Sequence, residues 1–122
     1  MAESHNLGQK GEELAVEFLE KNGYKILMRN WVRGRNEVDI IAETKEFIVF
    51  IEVKTRAIDC LVPPVNAVTR DKQKSIIRAA ESYINIFKID KESRFDVIIV
   101  IHKDEDDFSI EHIPYAFYPS LR

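Results

Sequence analysis

The sequence predicts an α/β domain: one mixed sheet with helices packed against it, in the order α-β-β-β-α-β-β. Two stretches place apolar residues at helical spacing, and five read as strands by alternation or β-branched content. A third observation is the gap between the second and third strands, only Thr44, Lys45 and Glu46, which fits an antiparallel hairpin turn and nothing longer. At 122 residues the chain is the size of a single domain. Its core is expected over about residues 7–113, with 114–122 as a C-terminal tail.

The first helix rests on positions 7, 11, 14, 15, 18 and 19, apolar or small at helical spacing, with Gly23 as its stop. Tyr24 to Val32 follows as a strand of mixed polarity, broken by the turn Arg33-Gly34-Arg35-Asn36. Glu37 to Glu43 and Phe47 to Thr55 form the hairpin. Arg56 to Val68, with Pro63-Pro64 and Asn66, reads as a loop longer than ordinary connections. Thr69 is placed to cap a second helix, with Asp71 in its first turn and Ile76, Ile77, Ala80, Tyr83, Ile84 and Phe87 on one face. Phe95 to Ile101 is nearly continuous in β-branched residues, as in a strand covered on both faces. Ser109 to Ile113 adds an edge strand, and Pro114 and Pro119 are expected to end regular structure.

Composition narrows the function. Eighteen basic against 21 acidic side chains give a net charge of −3, which argues against a protein that coats nucleic acid through bulk electrostatics. The excess lies in the last segment: residues 1–93 balance at 15 and 15, whereas 94–122 hold 3 basic and 6 acidic groups. Four of those six are Asp104 to Asp107, expected as a solvated turn. The single Cys60 has no pairing partner, no apolar run approaches the ~18 residues of a spanning helix, and the N-terminus lacks a signal-peptide core. A soluble cytoplasmic protein is expected.

The hairpin carries the informative geometry. With Lys45 and Glu46 as a two-residue loop, Thr44 lies opposite Phe47, Ile41 opposite Phe50, Asp39 opposite Glu52 and Glu37 opposite Lys54. One face then holds two facing carboxylates beside a lysine. A one-residue slip would separate them. Opposed carboxylates repel by roughly 3 kcal/mol at about 5 Å and an effective dielectric of about 20. A raised pKa, the neighbouring lysine or a divalent cation could each compensate. Mg²⁺, which takes oxygen ligands from one or two carboxylates and substrate phosphates, suits such a pair. Glu12 lies at the border of the first helix's apolar stripe and can look toward the sheet, whereas Glu13, Glu17 and Glu20 point to solvent.

An acid on the first helix, Asp39, Glu52 thirteen positions later and the triplet Glu52-Val53-Lys54 together resemble the PD-(D/E)xK nuclease superfamily, without the proline of that name. A closer resemblance runs from Gly8 to about Val100. Gly8-Gln9-Lys10-Gly11-Glu12, Asn22-Gly23-Tyr24, Glu37 to Ala42, Phe50 to Arg56, Ala67-Val68-Thr69 with Lys72, and Arg94-Phe95-Asp96-Val97 are similar to the bacterial YraN-like family of endonuclease-type proteins. That family is itself similar to archaeal Holliday-junction resolvases. Asn36 departs from it, standing where the family usually has glycine.

The resemblance implies a restriction-endonuclease-like fold and a Mg²⁺- or Mn²⁺-dependent endonuclease that hydrolyses phosphodiester bonds of nucleic acid, chiefly DNA and including branched DNA. Asp39, Glu52 and Glu12 would be the metal ligands, and Lys54 would position the nucleophile or stabilise developing charge. Lys54 can equally pair with Glu37 or Glu52. Arg29, Trp31, Arg33 and Arg35 form a basic stretch with one aromatic, suited to phosphate contact and base stacking, though Trp31 fits a core as well. Thr55, Arg56, Lys72 and Lys74 stand where phosphate contacts are plausible. His5, His102 and His112 have no metal-site spacing, and Cys60 reads as a buried or loop thiol. The rival reading is a nucleic-acid-binding or partner-interaction module that keeps the fold without turnover. A small-molecule enzyme would call for a glycine-rich phosphate loop, and the four glycines do not cluster. A homodimer covering an exposed edge strand is a further expectation.

Overall fold

The computed structural model describes residues 2–60, 63 and 66–119, with side chains from Leu7 onward. Helix α1 spans Ala2–Lys21, starting before the expected first apolar position, and is followed by Gly23, whose φ of 88° is the left-handed conformation a helix stop favours. Strands β1 (Lys25–Arg33), β2 (Asn36–Glu43) and β3 (Phe47–Ala57) follow. A short 3₁₀ turn, Ile58–Cys60, leads away from β3 and leaves Cys60 exposed. Residues 61, 62, 64 and 65 of the expected loop lie outside the described residues. Helix α2 (Arg70–Phe87) then leads to β4 (Glu92–Asp104) and β5 (Asp107–Phe117), and Glu105 and Asp106 sit exposed in the turn between them.

The five strands form one sheet in the order β1-β2-β3-β4-β5. All neighbours are antiparallel except β3 and β4, which run parallel because α2 carries the chain across between them. Alternate strand residues feed two cores. Ala15 and Leu19 of α1 bury Ile40, Ala42, Val49, Ile51, Ile98 and Val100 on one face. Ile76, Ala79, Ala80 and Tyr83 of α2 bury Ile48, Phe50, Phe95, Val97 and Ile99 on the other. The result is a helix-sheet-helix sandwich, with the strand covered on both faces found, as expected, in β4. Thr69 caps α2, its Oγ1 accepting the Lys72 N–H at 3.2 Å.

The hairpin adopts the register its two-residue turn dictates: Ile41 pairs with Phe50, Ile40 with Ile51, Ala42 with Val49 and Glu43 with Ile48. Thr44 fixes the turn, its N–H donating to the Phe47 carbonyl at 2.9 Å and its Oγ1 accepting the Phe47 N–H at 3.0 Å. At the far end the paired stretch stops at Ile40 and Ile51, one pair before the anticipated Asp39–Glu52 rung.

Strand β5 corrects the expected tail. It runs through Pro114 to Phe117, which enters the α2-side core and stacks on Phe95 with centroids 5.3 Å apart. Proline is tolerated because β5 is an edge strand, where a missing N–H breaks no interior ladder. The strand bulges opposite Asp96, Tyr115 takes a φ of 55°, and its N–H donates to Asp96 Oδ1 at 3.2 Å. The β1–β2 turn explains the departure at Asn36. Gly34 already supplies the left-handed residue, with φ 63°, and Asn36 Oδ1 accepts from Ser75 Oγ at 3.1 Å, tying the turn to α2.

Candidate functional site

Helix α1 crosses β3 at Gly11, where a Cβ would lie 2.1 Å from Thr55 Oγ1, so only hydrogen fits there. The close approach carries the next residue, Glu12, over the end of the sheet where β2 and β3 part. Asp39 stands at that fork. Its Oδ2 accepts the Val53 N–H at 2.8 Å, so a side-chain oxygen replaces the backbone carbonyl that a continued ladder would offer. Side-chain alternation in β2 breaks at the same point, since Val38 and Ile41 both pack on the α2 side while Ile40 packs on the α1 side.

Glu52 is 4% exposed. Its Oε2 lies 3.3 Å from Lys54 Nζ, and its Oε1 is buried with no donor. The Asp39 carboxyl is within hydrogen-bonding reach of the Glu52 carboxyl. Two ionised carboxylates can only accept, so a proton on Asp39 is what joins them in the absence of a cation. Burial, followed by the Glu52 charge, pushes Asp39 up to about 7, against the opposing effect of the Val53 N–H, and the Glu12 charge adds to the rise. Asp39 is thus the member of the pair whose charge the fold disfavours.

Above the pair opens a cleft of about 930 Å³ lined by Glu12, Arg29, Asp39, Lys54, Thr55 and Arg56 together with Gln9, Asn30 and His102. Six of the expected site residues therefore meet in one cavity, and Glu52 lies buried beneath it. Arg29, Lys54 and Arg56 thus stand beside the carboxylates of Glu12, Glu13 and Asp39.

The remaining expected contact residues lie elsewhere. Trp31 points to the α2-side core and meets Tyr83 edge-on at 5.4 Å, because the strand face it occupies is covered by α2. Arg33 and Arg35 are exposed at the β1–β2 turn, and Lys72 sits in the first turn of α2; none of the three lines the cleft. Lys74 lines a separate groove along α2 with Arg70, Arg78 and Tyr118.

The three expected metal ligands are not gathered into one group. Among the described residues no three Asp, Glu, His or Cys side chains converge closely enough to hold a metal ion. Glu12 is bonded to β1 instead, its Oε1 accepting from Arg29 Nη2 at 3.0 Å, Arg29 Nε at 3.2 Å and Asn30 Nδ2 at 2.9 Å, while its charge still acts on Asp39. The Asp39–Glu52 pair fits a Mg²⁺-type ion by itself, since its donors are hard oxygens, one of them a buried acceptor without a partner, and such ions commonly use only one or two carboxylates.

Asn30 and His102 were not among the expected residues. His102 reaches the cleft through the parallel register that sets it beside Ala57, a pairing that a long crossover hides from sequence. Asn30 joins through a left-handed backbone that no motif announces.

The profile described as "Uncharacterised protein family UPF0102" matches residues 11–100, a stretch containing every acid of the site. The chain belongs to the UPF0102 family. A UPF0102 protein of Bacteroides thetaiotaomicron is 46% identical over 121 residues, 99% of each chain. One from Flavobacterium johnsoniae is 46% identical over 97% of this chain and 98% of its own. One from Chlorobium phaeobacteroides is 46% identical over 93% and 94%. The likeness thus includes β5 as well as the family segment, and the chain matches these UPF0102 proteins over nearly their whole length. Among the described residues no helix is long and apolar enough to cross a membrane.

Proposed function

We propose that this UPF0102 protein is a divalent-metal-dependent endonuclease with a restriction-endonuclease-like fold, acting on nucleic acid and chiefly DNA. The observation that carries the reading is the meeting of Asp39 with Glu52 at the fork of β2 and β3, where Glu52 Oε1 is buried without a donor. An uncompensated carboxylate pair is costly unless a cation or proton is part of the design. The element order α-β-β-β-α-β supports the fold assignment.

Asp39 and Glu52 would hold Mg²⁺ or Mn²⁺, which when bound supplies Lewis acidity and acidifies a coordinated water. Lys54, 3.3 Å from Glu52 Oε2, projects its ammonium at the cleft floor, where it can orient the attacking water and offset charge developing on phosphate. Arg29 and Arg56 line the same cleft and offer forked donors to neighbouring phosphate oxygens. Thr55 is pinned against Gly11, so its contribution is to fix the floor.

The bonding of Glu12 by Arg29 and Asn30 favours a second reading, a nucleic-acid-binding module that retains the fold without turnover. Calorimetric titration with Mn²⁺ separates the two. Wild type is expected to bind the ion and Asp39→Asn and Glu52→Gln to lose it. The absence of binding at millimolar Mn²⁺ with DNA present would overturn the nuclease. Linear, flap and four-way-junction substrates then define the target, with Lys54→Ala expected to lose about 10²-fold or more in rate while keeping its metal.

A further inference from the structure

Asn30 lies in the body of β1 with a φ of 51°. Side chains of consecutive strand residues ordinarily leave on opposite faces. The left-handed turn at Asn30 cancels that alternation, and both Arg29 and Asn30 bring their side chains to one oxygen, Glu12 Oε1. Asparagine is among the residues that take this backbone with least strain, and such strain persists where surrounding contacts over-determine it. The irregularity is therefore a device for presenting three N–H donors to a single carboxylate oxygen.

Its effect is on where Glu12 can go. Both Nε and Nη2 of Arg29 are committed to Oε1, which holds the carboxylate on the β1 side of the cleft and outside any group of three acids. The side chain of Arg29 is 42% exposed and that of Glu12 15%, so the arginine is the partner that meets an incoming molecule. A phosphate offers the same forked guanidinium two oxygens, a geometry at least as good as the single oxygen it holds.

We propose that Arg29 and Asn30 are positioning residues that hold Glu12 apart from Asp39 and Glu52 in the free protein, and that a phosphodiester taking the guanidinium of Arg29 releases Glu12 to complete the acidic site. The inference rests on the metal-dependent reading above and adds the coupling: nucleic acid raises metal affinity, and by linkage metal raises nucleic-acid affinity equally.

The test is the Mn²⁺ dissociation constant by calorimetry, with and without a short phosphorothioate DNA duplex. Wild type is expected to bind Mn²⁺ at least about fivefold more tightly with the duplex. Arg29→Gln is expected to reach the tight value without DNA and gain nothing from it. Glu12→Gln is expected to keep the weak value in both conditions. Asn30→Gly, which accepts the same backbone, is expected to raise metal affinity in the free protein by a smaller factor. Mn²⁺ binding by wild type that is unchanged in Arg29→Gln without DNA would overturn the coupling while leaving the nuclease reading intact. Failure of wild type to bind Mn²⁺ even with the duplex would overturn both.

Discussion

Asp96 and Asp39 are acids on strands of the same sheet, yet the fold surrounds them in opposite ways. Asp96, with no exposed surface, accepts from Arg94 Nε at 2.9 Å and Nη2 at 2.7 Å and from the Tyr115 N–H at 3.2 Å, and His112 Nε2 lies 2.7 Å away. An ionised carboxylate only accepts, so His112 carries its proton on Nε2. The guanidinium of Arg94 is boxed by the rings of Tyr24, Phe47 and Tyr115 at 5.6, 5.2 and 5.3 Å. Burial opposes the charge of Asp96, but the His112, Arg94 and Tyr115 bonds outweigh it and hold the carboxyl below its ordinary range. Asp39 has one N–H and a second carboxylate for company, and its pKa moves up. Saturated bonding marks Asp96 as a fastening for the β5 bulge. The shortage around Asp39 and Glu52 marks a place left for something to bind.

Removing each acid exposes the contrast. Asp96→Ala leaves Arg94 buried and unpaired, and urea unfolding at pH 7 should register a loss of about 3–5 kcal/mol; a loss under about 1 kcal/mol would mean that the network is not what fastens β5. Gly11→Ala tests the scaffold of the other region. The new methyl meets Thr55 Oγ1 and should cost about 1–3 kcal/mol, with Thr55→Ala in the same chain recovering much of it. A double variant no more stable than the single one would place the strain elsewhere.

Asp39→Asn has the smallest effect and the opposite sign. The folded protein keeps on Asp39 a proton that the unfolded chain, with a pKa of 3.8, releases earlier. The stabilisation from that proton is full below pH 3.8 and is lost as pH rises through about 7. In chelator, thermal unfolding across this window should therefore show wild type losing stability relative to Asp39→Asn. At pH 8 the variant should be ahead by about 1–2 kcal/mol, because its amide donates where a carboxylate repelled. Parallel curves for the two proteins would remove the shared-proton account.

Much of this was legible in the sequence, because local rules governed it. Thr44 and the two residues after it set the hairpin register, and Thr69 with its downstream periodicity set α2. Pairing rules also brought Asp39 toward Glu52. They did not reveal that the ladder would end there and a carboxylate would stand in for a carbonyl, since that depends on strands diverging in three dimensions. Pro114 read as a stop because its position at a sheet edge is a property of topology. Trp31 remained undecided until α2 covered its face, and the grip of Arg29 and Asn30 on Glu12 needed a backbone angle that composition does not encode.

The two outer strands share a feature with a consequence for self-association. β1 is interrupted by the left-handed Asn30, and β5 by Pro114 and the left-handed Tyr115. These interruptions shorten the row of amides and carbonyls that each border presents to a neighbouring chain, one way natural sheets guard against runaway growth by strand addition. Two copies of this protein that paired edge to edge through β5 would have the run Asp107–Ile113 to do it with.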